Sequence, residues 1–127
     1  MFKDIEDLPG DVLGIKLSGK ITHEDYRDYL IPKAENLIKA YGSAKILCVV
    51  DDEWAGYELE AMWDDTEFGI KHWSEFSHMA IVSDIKWIRA MATIFTPLMP
   101  GEVKIFKLAE LESAKSWITE HSIDKAA

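Results

Sequence analysis

The feature that most constrains this chain is a run of five apolar residues, Ile46-Leu47-Cys48-Val49-Val50, with no polar position among them. A strand exposed on one face alternates apolar and polar side chains. An unbroken run rich in β-branched residues is instead the pattern of a strand covered on both faces, as in the middle of a parallel sheet. Such a strand needs helices on either side and connections long enough to cross over. The surrounding stretch, Lys45 to Asp84, meets that need. It reads as the strand itself, an acidic loop with Trp54 and Gly56, an amphipathic helix, and a second apolar strand at His78–Val82.

The rest of the chain repeats the alternation. Phe2–Ile5 and Val12–Lys20 read as strands joined by the turn Leu8-Pro9-Gly10-Asp11, and the short first strand with Pro9 suits a sheet edge. Thr22-His23-Glu24-Asp25 resembles a capping box, so a helix begins there. Tyr26, Tyr29, Leu30, Ala34, Leu37, Ile38 and Tyr41 keep one apolar face. Pro32 within that pattern predicts a kink, or a break with Pro32 starting the next helix, and Gly42 predicts the stop. Asp51 and Asp52 are expected to end the central strand. Leu59, Met62, Trp63, Thr66, Ile70 and Trp73 then line one side of a helix. A helix over Ile85–Met99, a strand over Val103–Phe106 and a closing helix with Leu111, Ala114, Trp117 and Ile118 inward follow, and the tail after Ser122 should fray. The order is β-β-α-β-α-β-α-β-α. It predicts one α/β domain over residues 1–127, a mixed but mostly parallel sheet of about five strands with four helices.

Charge and cysteine content narrow the partners. The net charge of −9 argues against nucleic acid, whose binders carry a basic footprint. Residues 51–75 hold nine acids against Lys71 alone, whereas 85–107 hold Lys86, Arg89, Lys104 and Lys107 against Glu102. The single cysteine, Cys48, permits no disulfide within one chain and no cysteine-based metal site. Acids in Met1–Asp11 stand where a signal peptide needs a basic start. The expectation is a cytoplasmic protein, with peripheral membrane attachment left open.

No catalytic constellation emerges. Asp51-Asp52, Asp84 and Lys107 resemble the corners of a phosphoacceptor site, but the separation of 33 positions from Asp51 to Asp84 leaves room for only one helix where such a site needs an extra strand and helix. His23, His72, His78 and His121 show no HExxH or His-x3-His spacing, and no GxSxG, P-loop or GxGxxG is present. The reading is therefore a non-enzyme with no cofactor and no metal.

The segment Ile85–Met99 is unusual. At about 100° per residue, Trp87, Ile88, Met91, Ile94, Phe95 and Leu98 belong to an apolar face covering half of the helix. Packing on a sheet needs a stripe of little more than about 100°, so apolar surface is left over. Trp54 in its loop joins Trp87, Ile88, Met91, Ile94, Phe95 and Leu98 as candidates for contact with a ligand or membrane, and Lys86 and Arg89 as electrostatic docking groups.

Certain residues resemble a known family. They run from Val12-Leu13-Gly14-Ile15 through Gly19-Lys20-Ile21-Thr22, Glu24-Asp25-Tyr26 and Pro32 to Gly56, Glu60-Ala61 and Trp63. Phe68-Gly69-Ile70-Lys71-His72, Phe76, Ala80-Ile81-Val82, Asp84, Trp87, Phe95, Pro100-Gly101-Glu102, Phe106 and Trp117 continue the likeness. The pattern is similar to that of the SpoIIAA-like proteins. That resemblance implies the βα superhelix of the STAS domains, a fold similar to the lipid-carrying CRAL-TRIO domains. The antagonists of anti-sigma factors with this fold carry a phosphorylatable serine after the central strand. Here that region reads Asp51-Asp52-Glu53-Trp54-Ala55-Gly56-Tyr57-Glu58, without serine or threonine, so the phosphoswitch does not carry across. Two functions stand side by side. One is a non-enzymatic module for an apolar small molecule or lipid, docking on a membrane surface through helix 85–99. The other is a protein-interaction or regulatory module, either a homodimer or one that binds a partner in the manner of an anti-sigma antagonist without the serine phosphoswitch.

Overall fold

The computed structural model describes residues 1–57, 73–99 and 101–122. Within them one sheet contains β1 (Phe2–Asp4), β2 (Val12–Ile21), β3 (Ala44–Tyr57), β4 (Phe76–Ser83) and β5 (Glu102–Phe106) in that spatial order. β1 pairs antiparallel with β2, and every other pairing is parallel. This is the mixed, mostly parallel α/β sheet that the sequence predicts. The apolar run lies in β3, third of five, where Leu47 is fully buried and Val49 and Val50 are nearly so.

Each face of the sheet has its own core. Leu13, Ile15 and Leu17 of β2 and Ile46 and Val50 of β3 meet Tyr26, Leu30 and Ala34 on the first face. Val12, Leu47, Val49, Ala80 and Val82 meet Ala114 and Ile118 on the second. The alternation of β2 and β3 therefore divides between two helical layers, as the absence of polar positions in Ile46–Val50 requires.

The first layer begins at Thr22. Its hydroxyl accepts from the Asp25 amide at 3.2 Å, while the Thr22 amide donates to the Asp25 carboxylate at 2.9 Å. Behind this capping box come α1 (His23–Asp25), a π-helical segment Tyr26–Leu30, and α2 (Ile31–Tyr41), with Pro32 in the first turn of α2. Pro32 has no amide to give the carbonyl four residues back, and its ring would press on that carbonyl. The wider π turn, closed by the Ile31 amide on the Tyr26 carbonyl, accommodates it. Gly42, at φ 80°, ends α2 and donates to the Ile38 carbonyl at 2.8 Å. Further along, α3 (Lys86–Phe95) returns to the first face, and α4 (Leu111–Glu120) covers the second.

Several boundaries differ from the sequence reading. β3 does not end at Asp51 but continues to Tyr57, so Trp54 lies in a strand and not in a loop. β2 runs alongside β3 as far as Ile21, opposite Tyr57, and a cross-strand ion pair adds to the pairing. Lys16 of β2 reaches the Asp51 carboxylate at 3.0 Å and that of Glu53 at 3.2 Å, which holds the acidic run against its neighbour. Beyond Leu17 the ladder slips at Gly19 (φ 61°) and resumes with Gly19 opposite Trp54. The helix expected over Ile85–Met99 is α from Lys86 to Phe95, followed by a 3₁₀ turn, Thr96–Leu98. The helix expected from Leu59, with Trp63 and His72, and the tail after Ser122 lie outside the described residues. Trp73 opens a 3₁₀ turn, Trp73–Glu75.

One polar group of the core joins three parts of the chain. Lys45, at the start of the apolar run, is 3% exposed and extends its ammonium to the Asp11 carboxylate, 1% exposed, at 3.3 Å. Asp11 also accepts from the Ser122 hydroxyl at the end of α4. Removing one member of a buried pair leaves the other charge without compensation. Lys45→Met should therefore lower the unfolding free energy in urea by about 3–5 kcal/mol, and a loss under about 1 kcal/mol would show that the pair is dispensable.

Acid should weaken the fold through two other carboxyls. The Tyr29 hydroxyl holds Asp4 below the ordinary aspartate value, against the upward push of desolvation and with help from Lys33. At Asp51 burial acts upward, but the Glu53 amide and the Lys16 ammonium outweigh it, and the net direction is again down. The unfolded chain, with aspartates titrating near about 3.9, binds more protons than the folded one. Stability from these groups is thus present above that value and is lost as pH falls through the lower folded values. The contribution of these carboxyls, read as the difference in urea midpoint between wild type and Asp4→Asn/Asp51→Asn, should be level down to about pH 5 and fall steadily below about pH 4; a difference constant to pH 3 contradicts the assignment.

Candidate ligand pocket

α3 roofs the first face without filling the space beneath it. A cavity of about 390 Å³ lies between α3, the π-helical segment and the sheet. Ile15, Ile46 and Cys48 form its floor, Tyr26 and Leu30 one wall, and Trp87, Ile88 and Met91 the roof. Among the described residues no charged side chain lines the space. It therefore suits a hydrocarbon or aromatic group, and a charged headgroup would have to stay outside. Its volume falls within the roughly 300–1,000 Å³ of small-molecule sites.

The outer side of the same roof carries the surplus apolar surface. Trp87 is 57% exposed, Met91 45%, Ile94 61% and Leu98 60%. Trp87 and Met91 thus belong to both the cavity and the surface, whereas Ile94 and Leu98 face outward only. The side chain of Phe95 lies outside the described set. Trp54 stands beside the roof from β3, its ring 5.5 Å from that of Trp87.

The two docking cations are not alike. Lys86 is exposed. Arg89 is half-buried, and its Nη1 donates to the Ser83 carbonyl at 2.9 Å and the Phe106 carbonyl at 2.8 Å. It clasps the ends of β4 and β5, and this use of its donors leaves it less free for a headgroup than the sequence suggests. Asp84 is likewise occupied, accepting from the Leu108 amide at 3.0 Å. The acids that resemble a phosphoacceptor site are thus tied up in structural contacts, Asp51 with Lys16 and Asp84 with the 3₁₀ turn Leu108–Glu110.

Sequence reasoning missed two things. The sheet side of the cavity consists of ordinary core residues, and nothing in Ile15, Ile46 or Cys48 marks them as lining. The histidines are the second. No spacing joins His78 to His121, yet on the opposite face their rings stack at 4.4 Å, and His78 Nε2 lies 2.9 Å from the Glu102 carboxylate. Burial is the main cause that holds the His78 imidazole below its ordinary value, with His121 and Lys45 adding to it and Glu102 opposing.

A parallel run β2-β3-β4-β5 with one antiparallel edge strand, helices on both faces and an apolar cavity under one of them defines an α/β fold of the SpoIIAA-like class. The sequence model of the SpoIIAA-like family matches residues 12–119, and the chain belongs to that family. The crystal structure of an uncharacterised protein of the DUF3478 family with a SpoIIAA-like fold, from Shewanella loihica PV-4, superposes with a TM-score of 0.71 at 28% identity. The alignment covers 93% of this chain and 92% of that one. No curated protein matches in sequence. Among the described residues no helix is long and apolar enough to cross a membrane.

The different roles of the two cations can be measured. Arg89→Ala leaves two strand-end carbonyls without their charged donor and should cost about 1–3 kcal/mol of stability. Lys86→Ala should change it by no more than about 0.5 kcal/mol. Equal effects in urea denaturation would contradict the clasp.

Proposed function

We propose that this protein is a non-enzymatic binding module for an apolar or lipid-like ligand, held beneath α3, with the outer face of α3 and Lys86 touching a membrane surface. The observation that carries this reading is the coincidence of the apolar cavity with a roof whose other side exposes Trp87, Met91, Ile94 and Leu98. Apolar side chains that enter the interface, flanked by a cation, are the elements of peripheral attachment. One free lysine adds little, so attachment would be weak and sensitive to salt. The likeness to the Shewanella protein supports the fold and leaves the ligand to experiment.

The same exposed face favours one other reading, a homodimer that buries it. Light scattering at high concentration distinguishes the two, since a strict monomer removes the dimer.

Two variants test the ligand and the membrane separately. Ala92→Phe fills the cavity, and its affinity for cis-parinarate should fall at least about tenfold, equivalent to about 1.4 kcal/mol. Ile94→Ala/Leu98→Ala alters only the outward face, and it should lose co-sedimentation with vesicles of phosphatidylcholine and phosphatidylglycerol. Unchanged parinarate binding in folded Ala92→Phe would overturn the cavity reading. Equal pelleting of wild type and the double variant would overturn the membrane reading.

A further inference from the structure

On the face of the sheet away from the cavity, the N-terminal ends of β4 and β5 and the C-terminal end of α4 meet. Three side chains converge there. His78 projects from β4, Glu102 lies directly opposite it on β5, and His121 follows the last turn of α4. One donor atom from each, two imidazole nitrogens and a carboxylate oxygen, lie within 4.8 Å of one another. We propose that His78, Glu102 and His121 form a binding site for a divalent transition-metal ion, Zn²⁺ being the best match to the donors.

The chemistry of the donor set points to that class. Two neutral imidazoles with one carboxylate suit zinc, nickel or copper, whereas magnesium and calcium require oxygen ligands throughout. Three protein ligands leave a coordination position open to water or another ligand. Tetrahedral zinc with bonds of about 2.0–2.1 Å holds its donors roughly 3.3 Å apart. His78 Nε2 and Glu102 Oε2 are already at 2.9 Å. The two imidazoles stack with their planes 19° apart, so a shared ion requires His121, exposed like Glu102, to turn out of the stack and aim its lone pair at the common position.

The surroundings orient the buried member. The Ser77 hydroxyl lies 3.1 Å from His78 Nδ1. With Nδ1–H donating to Ser77, His78 presents the Nε2 lone pair toward Glu102, the arrangement in which a second group fixes a ligating histidine. Trp117 packs edge-to-face beside both imidazoles, at ring separations of 5.7 Å from His78 and 5.4 Å from His121. Gly101 allows β5 to come this close. A Cβ there would lie 2.4 Å from the Phe76 carbonyl and 2.6 Å from that of Ser77. Two cations are near. Lys45, opposite His78 on β3, has its charge compensated by Asp11, and Lys104 lies over the rings of Phe106 and Trp117 in contact with solvent.

The site is independent of the cavity, which lies on the other face, and its test does not depend on the ligand reading. Calorimetric titration of the untagged full chain with ZnCl₂ should show saturable 1:1 binding, and MgCl₂ should show none. His121→Ala and Glu102→Gln change exposed side chains and should keep the native circular dichroism, while each weakens zinc binding at least about tenfold. Co²⁺ should give the intense visible bands of low-symmetry coordination in the wild type and lose them in His121→Ala. Two results would overturn the proposal. One is no saturable binding by wild type at millimolar zinc, and the other is folded variants that bind zinc as tightly as wild type.

Discussion

The buried contact of Lys45 with Asp11 decides how the sheet and its last helix fit together. A lysine ammonium withdrawn from water is tolerated only beside a compensating charge with its remaining polar groups satisfied. Asp11 supplies the charge from the turn before β2, and Ser122 supplies a further hydrogen bond from beyond α4. The three residues come from the turn before β2, the start of β3 and the end of α4. Any other register of β2 against β3, or a different seating of α4, would leave a charge stranded in the core. Apolar packing on either face tolerates small slips, but this contact does not, and it is the specifying element among otherwise interchangeable aliphatic side chains.

Its position explains why the two faces of the sheet serve such different purposes. The N-terminal ends of β3 and β4 carry polar groups on the second face, Lys45 and His78, aligned in register. The first face at the same level carries Ile46 and Met79 and contributes to the apolar cavity. Because strand residues alternate, an apolar chamber and a polar cluster can share the same strands without mixing. α3 and α4 then cover them separately, α3 with a surplus of apolar surface and α4 with Trp117 and His121.

The fold was legible where a local pattern determines local structure. Ile46–Val50 placed the central strand, the Thr22 box placed the start of a helix, and Pro32 marked an interruption, which the chain resolves as a π turn. It was illegible where the decisive partner is distant in sequence. Asp51-Asp52-Glu53 has the composition of a loop and is nonetheless strand, because β2 continues beside it to Ile21 and Lys16 reaches its carboxylates. Arg89 reads as a surface cation by helical periodicity, and only the convergence of the ends of β4 and β5 makes its donors structural. The helix face at Trp87, Met91, Ile94 and Leu98 was visible as an excess of apolar residues. The cavity beneath it was not, since Ile15 and Ile46 have the same character whether they line a space or fill one.

That last point bears on what the roof of the cavity does. α3 is anchored at its N-terminal end by the Ile85 amide on the Ser83 hydroxyl and by the Arg89 clasp, both at the strand ends. Toward Ile94 and Leu98 its apolar residues are exposed, and hydrophobic burial there is incomplete. A helix held by polar contacts at one end and by unfinished apolar packing along its length gains most from an added apolar partner. Filling the cavity and covering the outer face would each remove apolar area from water on opposite sides of one element, so a ligand within and a surface outside would stabilise the same position of α3. Two such partners are coupled only to the extent that both prefer that position, and the Arg89 clasp is the contact that defines it.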